Sequence, residues 1–445
     1  MIEFNESLLK SSFIWRLQLK VNKRFIILFI LLFVITLSAC NSETDVSDDN
    51  RNIILKNDYT NKTRNELLIE DVEYFRKQLT DKHKNAFHNI TKKEFNVNVD
   101  LLISKVEELT NKQVFVEMNK ITASLGDAHT GMNYWDGYSY PLKFYCLNDG
   151  IFVIDTDKSL EDILYAKVKK INGIDINIIT EELKTLISHE NENWVKSYLP
   201  NYLSSPVFMY GLDIIPNEEK TAFEFQTIDG DIIIKEIDIF SYGEYPDFIN
   251  LNSGRNVYLF NKEKEDYYWY KYLEEDKAVY FKYNVCEIMK DNLFLNFNYK
   301  MFNSIKDYEI DKFIIDLRHN SGGNSSVINP FLKSITDLAS ASPEMKIYVI
   351  TGRATFSSGV MAVLDIKNEV PITLIGESTG GSPNSYGDVG IFELPNSKIP
   401  IQYSKRYFQL TSDGAITITP DITIEPSIND FKENKDVVME YILKK

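Results

Sequence analysis

Apolar residues recur at spacings of three and four through "NELLIEDVEYFRKQL" (65–79) and "EFNVNVDLLISKVEEL" (94–109), the period of a helix with one buried face. A third stretch, "TNKQVFVEMNKITASLGDAHTGM" (110–132), predicts another helix, with Thr110 as its N-cap and Gly126 as its stop. From about residue 135 the pattern shortens. "GIFVIDT", "AKVKKINGIDI", "TAFEFQTI" and "DIIIKEIDIF" predict strands, and "EELKTLIS" a helix. Beyond about residue 253 the two patterns alternate. "AVYFKYNVC", "KFIIDLRHN", "KIYVIT" and "PITLIGE" predict strands, and "NLFLNFNYKMFNSIK", "SSVINPFLKSIT" and "SSGVMAVLDI" the helices between them. Alternation of that kind argues for an α/β domain with a largely parallel sheet.

The N-terminal end follows a different rule. Lys23 and Arg24 precede the uninterrupted apolar run "FIILFILLFVIT" and then "LSAC", ending at Cys40. A basic segment, an apolar core and small residues before a cut form an export signal. With cysteine at the cut it resembles a bacterial lipoprotein signal, which implies cleavage before Cys40 and a lipid on its sulfur. The apolar run is shorter than the roughly 20 residues of a bilayer-spanning helix. The acidic, aperiodic "NSETDVSDDNRN" after it predicts a flexible tether. The expected organisation is a signal segment 1–39, a tether 40–64, a helical domain 65–134, a β-rich module 135–245 and an α/β core 246–445. The length of 445 residues suits two or three domains. A net charge of −16 without a basic face excludes nucleic acid as a partner. Cys146 and Cys286 lie in apolar, strand-like runs and are expected to be buried free thiols.

Four segments could carry chemistry. In "TFSSG" (355–359) a serine stands between a strand and a helix, where the first helical amides point at any oxyanion formed there. Taken alone, Ser357 or Ser358 would simply cap the helix. The segment is not a G-x-S-x-G elbow, because Thr355 replaces the first glycine. "IIDLRHNSGGN" (314–324) ends a strand in Asp316 and Arg318, and Gly322 and Gly323 permit close backbone approach. "LGDAHTGM" (125–132) puts His129 beside Asp127, just past a helix end. The other four histidines (His83, His88, His189 and His319) stand in more polar contexts. "GESTGG" (376–381) is glycine-rich but lacks the lysine of a phosphate-binding loop.

With "ITPDITIE" (418–425), these segments occur in the order found in the tail-specific, or C-terminal processing, serine peptidases, and residues 65–445 resemble that family. The resemblance implies a multidomain α/β fold: a helical N-terminal domain, a small PDZ-like β-rich module and a ClpP/crotonase-like catalytic core. "AKVKKINGIDI" looks like part of the PDZ-like insert, without an obvious carboxylate-binding glycine loop. One branch of the family has its lysine base directly after the "GE-x-T-x-G" loop. Ser382 stands there, which leaves the tricorn-like branch and His129 as base. The resemblance implies Ser357 as nucleophile, with Gly322, Gly323 and Ser358 around the oxyanion. Where the tricorn-like pattern has a serine before the histidine, this chain has Ala128. For the acid the resemblance points to Asp413, with Glu377 and Asp127 as alternatives. No metal or other cofactor is implied. The expected partners are a peptide or unfolded protein as substrate and, through the lipid, a membrane on its extracytoplasmic face. The rival expectation is a catalytically silent binding lipoprotein on the same scaffold.

Overall fold

Three helices open the described part of the chain: α1 (Arg64–Lys82), α2 (Lys92–Lys105) and α3 (Asn111–Ala123). The computed structural model describes residues 62–241, 243–244, 246–249 and 266–445. The expected signal segment, Cys40 and nearly all of the tether therefore lie outside the described residues. Each of the three helices starts in a capping box, Thr63 with Glu66, Thr91 with Glu94 and Thr110 with Gln113, so both partners satisfy amides that the helix itself leaves open. Thr110 thus caps α3, and Gly126, at φ +70°, turns the chain just beyond its end.

The next module is an antiparallel sheet in the order Leu142–Leu147, Gly150–Thr156, Lys167–Ile171, Lys220–Gln226, Ile232–Asp238. Helix α4 (Ile176–Lys184), capped by Asp175, starts five residues before the predicted "EELKTLIS". Helix α5 (Glu192–Ser204) follows, although Pro200 inside it removes a backbone donor. Burial of Trp194, Val195, Leu199 and Leu203 offsets that loss, and sequence periodicity gave no sign of it. The three N-terminal helices and this module share one core. Leu68, Phe75, Phe95, Phe115, Val153, Ile171, Phe223 and Ile237 belong to a single buried cluster. Three short helices with one apolar face each cannot enclose a core, so the sheet completes it.

The C-terminal part is built on a six-stranded sheet. Tyr268–Leu273 runs antiparallel at one edge. Ala278–Tyr283, Lys312–Asp316, Lys346–Thr351, Thr373–Gly376 and Ile422–Thr423 follow in parallel. Alternate residues serve opposite faces, as the two-residue strand period requires. Val279, Phe281, Phe313, Ile315 and Val349 pack under the helices Phe294–Ile305, Asn329–Ala341 and Ser358–Glu369, whereas Tyr280, Ile314, Tyr348 and Ile350 meet Val438, Met439 and Ile442 of the last helix. A long hairpin, Asn384–Glu393 with Pro400–Gln409, leaves this body. Its second strand pairs with Gly131–Met132, which ties the α3 end to the C-terminal part. Cys146 and Cys286 are buried free thiols. Among the described residues no helix is long and apolar enough to cross a membrane.

Candidate active site

The site forms where the parallel strands end. After Lys346–Thr351 the chain turns through Gly352, whose amide donates to Thr355 Oγ1, and Thr355 Oγ1 in turn donates to the Leu317 carbonyl. The Phe356 amide donates to the Asn320 carbonyl. The Gly381 amide donates to the Thr355 carbonyl, and the Thr379 amide to that of Ile418. His129 packs on Phe356, ring centroids 4.4 Å apart. Four of the sequence segments therefore meet around residues 355–358, and the fifth, "ITPDITIE", joins them through Thr379.

Ser357 holds the N-cap position of the helix Ser358–Glu369, yet its side chain makes no capping bond. Its backbone sits at φ 49°, ψ −125°, a region that costs a non-glycine residue about 1–3 kcal/mol. The Ser358 hydroxyl is used differently: it donates to the Gly323 carbonyl at 2.7 Å and fixes the glycine loop against the helix start. Gly322 faces Ser357 so closely that a Cβ there would sit 2.6 Å from Ser357 Cβ. The Gly322 amide is occupied, donating to Asn320 Oδ1. Among the described residues the amides of Gly323 and Ser358 have no hydrogen-bond partner, which makes them the pair able to receive an oxyanion.

His129 is held by its backbone. Its amide donates to Asp127 Oδ1, and its carbonyl accepts from Gln402 Nε2 on the hairpin. The buried Nδ1 has no partner among the described residues. Burial lowers the imidazole pKa, against the opposing pull of Asp127, so the ring is neutral at pH 7. Ser357 and His129 make no mutual hydrogen bond here, a looseness common before substrate binds.

The three acid candidates fare differently. Asp413 is exposed and accepts from Thr411 Oγ1 and the Ala415 amide, which involves it in its own turn and not with His129. Glu377 is engaged by the Arg353 guanidinium. Asp127 accepts from His83 Nε2 and Thr130 Oγ1 besides the His129 amide. Burial would raise its carboxyl, but the His83 bond, the His129 imidazole and the Thr130 hydroxyl outweigh it and bring it to about 2. His83 is thus buried rather than in the polar setting expected of it, because the end of α1 directs it onto Asp127. Ser382 exchanges hydrogen bonds with the Asn384 backbone.

Sequence reasoning passed over Glu190, in the loop between α4 and α5. One of its carboxylate oxygens, one of Asp127 and a His129 ring nitrogen lie within 4.8 Å of one another. Both Asp127 oxygens already accept from protein donors. Glu190 carried no motif that would have singled it out; its one signal was "HENENW", a polar loop leading into a helix N-cap.

No family model and no curated protein matches the chain. Solved structures do. Mature CPAF complexed with lactacystin aligns over 85% of this chain and 98% of its own, at 11% identity and TM-score 0.60. Mature CPAF on its own aligns over 86% and 96%, with the same identity and TM-score. The chain has the mixed α/β fold of these structures, with several sheets and helices. Tricorn protease matches 86% of this chain with 37% of its own, at 14% identity and a TM-score of 0.41, too low to add to the fold argument.

Proposed function

We propose that this chain is a lipid-anchored, extracytoplasmic serine peptidase. Ser357 attacks the peptide carbonyl, His129 accepts its proton, and the Gly323 and Ser358 amides receive the oxyanion. The observation that carries the reading is the state of Ser357. Its hydroxyl is uncommitted on a strained backbone at a helix start, beside two unpartnered amides, while its neighbour Ser358 is tied into the loop. A structural cap would have bonded its own helix. The family resemblance and the fold shared with CPAF support a peptide or unfolded protein as substrate. The antiparallel module at 142–238 then stands as the PDZ-like insert, and Cys40 as the site of the lipid.

The test is labelling with a fluorophosphonate probe, followed by mapping of the modified peptide. Wild type is expected to carry the label on Ser357. Ser357→Ala abolishes it, and Ser358→Ala keeps much of it because the amide survives. Label on Ser358, or none on wild type, overturns the assignment; the latter would favour a silent binding protein. Mass spectrometry of the mature N-terminus tests the anchor, which requires a lipidated Cys40.

A further inference from the structure

We infer that Glu190 is the positioning residue of the site, its carboxylate orienting the imidazole of His129 through Nδ1. This rests on the reading of His129 as base.

Glu190 and His129 belong to one cluster, and each has a buried polar atom without a partner among the described residues, Glu190 Oε2 and His129 Nδ1. Such atoms are costly when isolated and common where chemistry is done. The other carboxylate oxygen, Oε1, accepts from the Ala128 amide at 3.1 Å, which fixes the carboxylate beside the residue preceding His129. The loop carrying Glu190 is itself fastened to the site. Asn191 Nδ2 donates to the carbonyls of Gly380 and Ile416. Trp194 stacks on Phe356 with centroids 3.9 Å apart, and Phe356 is the ring on which His129 packs. A cavity of about 980 Å³ borders the same glutamate, and neither Ser357 nor His129 lines it.

The titratable groups around Glu190 are His129, Asp127 with His83 behind it, and the neighbouring His189. On the cavity side stand Glu117, Lys120 and Lys184, the last paired with Glu192. Burial, aided by the Asp127 charge, lifts the Glu190 carboxyl to about 8. In the reactive form Glu190 is ionised, His129 carries its proton on Nδ1, and Nε2 is open to the serine. Below the titration of the pair one more proton is present, and it closes that lone pair in either arrangement of the two groups.

The experiment is an NMR titration of the His129 ring in the full mature chain, in wild type and Glu190→Gln, with the His129→Ala spectrum as assignment control. In wild type the His129 signals shift as the pair loses its proton near pH 8. In Glu190→Gln that step vanishes and the remaining imidazole titration lies lower. Fluorophosphonate labelling of the same variant slows by about 10²-fold or more, as when the orienting carboxylate of a triad becomes an amide, and its acidic limb moves to lower pH. A His129 titration identical in both proteins overturns the assignment. The ring reports this whether or not the serine reacts, so failure of the peptidase reading appears separately, as an unlabelled wild type.

Discussion

Two buried clusters of charge flank the serine loop. Behind "IIDLRHNSGGN", Asp316 meets Lys282 at 3.0 Å and Arg318 at 3.0 Å, and Arg318 reaches Asp436 at 3.1 Å. Around His129, two carboxylates instead meet one neutral imidazole. In the first cluster every charge faces an opposite one. Burial would raise the Asp316 carboxyl, yet Arg318, Lys282 and Tyr280 hold it well below the usual range. In the second, burial and like charge drive Glu190 the other way. Paired charge of the first kind fixes a loop in place. Unpaired groups of the second kind are the sort that concentrate where protons are exchanged, as the proposed mechanism requires.

The largest expected effect lies in the unpaired cluster, and in rate. His129→Ala should lower labelling or turnover by about 10²–10⁴-fold, the usual worth of a positioned base. Its buried Nδ1 makes no hydrogen bond to the described residues, so stability should fall by only about 1 kcal/mol, typical of a single substitution. Turnover and urea unfolding on the same preparation separate the two quantities. Near-wild-type turnover would dissolve the contrast between the clusters.

The paired cluster should respond in the opposite sense. Asp316→Ala strands Lys282 in the interior and leaves Arg318 to Asp436, and breaking a buried pair in this way costs about 3–5 kcal/mol. The midpoint of urea unfolding checks it, with Asp316→Asn as the variant that keeps the volume. A loss below about 1 kcal/mol in both would show that the charges are not holding the loop.

The third effect is a slope with pH. Glu190 has its folded pKa raised to about 8 from an ordinary 4.5. Between those values the unfolded chain releases a proton that the folded chain keeps, so this group makes stability fall as pH rises from about 4.5 to about 8. Asp127 acts in a different window and with the opposite sign. Its carboxyl is lowered to about 2 from 3.8, and its contribution is lost only as pH falls through that range. Unfolding free energies at pH 5 and pH 8 should therefore converge in Glu190→Gln relative to wild type. An unchanged difference would mean that Glu190 is not kept neutral by the fold.

How much of this was written in the sequence depends on the range of the forces involved. Helices α1–α3 announced themselves through period and caps, both local properties. The parallel strands did so through continuous apolar runs, and the site segments through glycines and a serine at strand ends. Glu190 did not, because its meaning comes from a fold that places the α4–α5 loop beside residue 129, some 60 positions earlier. Helix α5 hid behind Pro200, and the hairpin Asn384–Glu393 with Pro400–Gln409 lay between two site segments, in a stretch to which no element was assigned. Asp413 was assigned by its offset from a neighbouring motif, and offset does not fix which way a turn residue points. The backbone of Ser357 was equally invisible, since no residue type encodes a strained φ other than by being glycine, and here it is not.

That backbone yields the smallest effect and the sharpest contrast. Serine at φ 49°, ψ −125° stores strain of about 1–3 kcal/mol. Glycine takes such a conformation without a Cβ clash, at an entropic cost of about 0.5–1 kcal/mol. Ser357→Gly should therefore unfold about 1 kcal/mol later than wild type, taking both terms together. Ser357→Ala keeps the Cβ, so it should gain nothing from relief of the backbone. Both variants lose the hydroxyl and with it all labelling, so the difference between them isolates the backbone. Urea unfolding of the two variants side by side measures it. Equal stabilities would mean that the turn at Ser357 is unstrained, and that the reactive half of the molecule gives up stability only through its unpaired side chains.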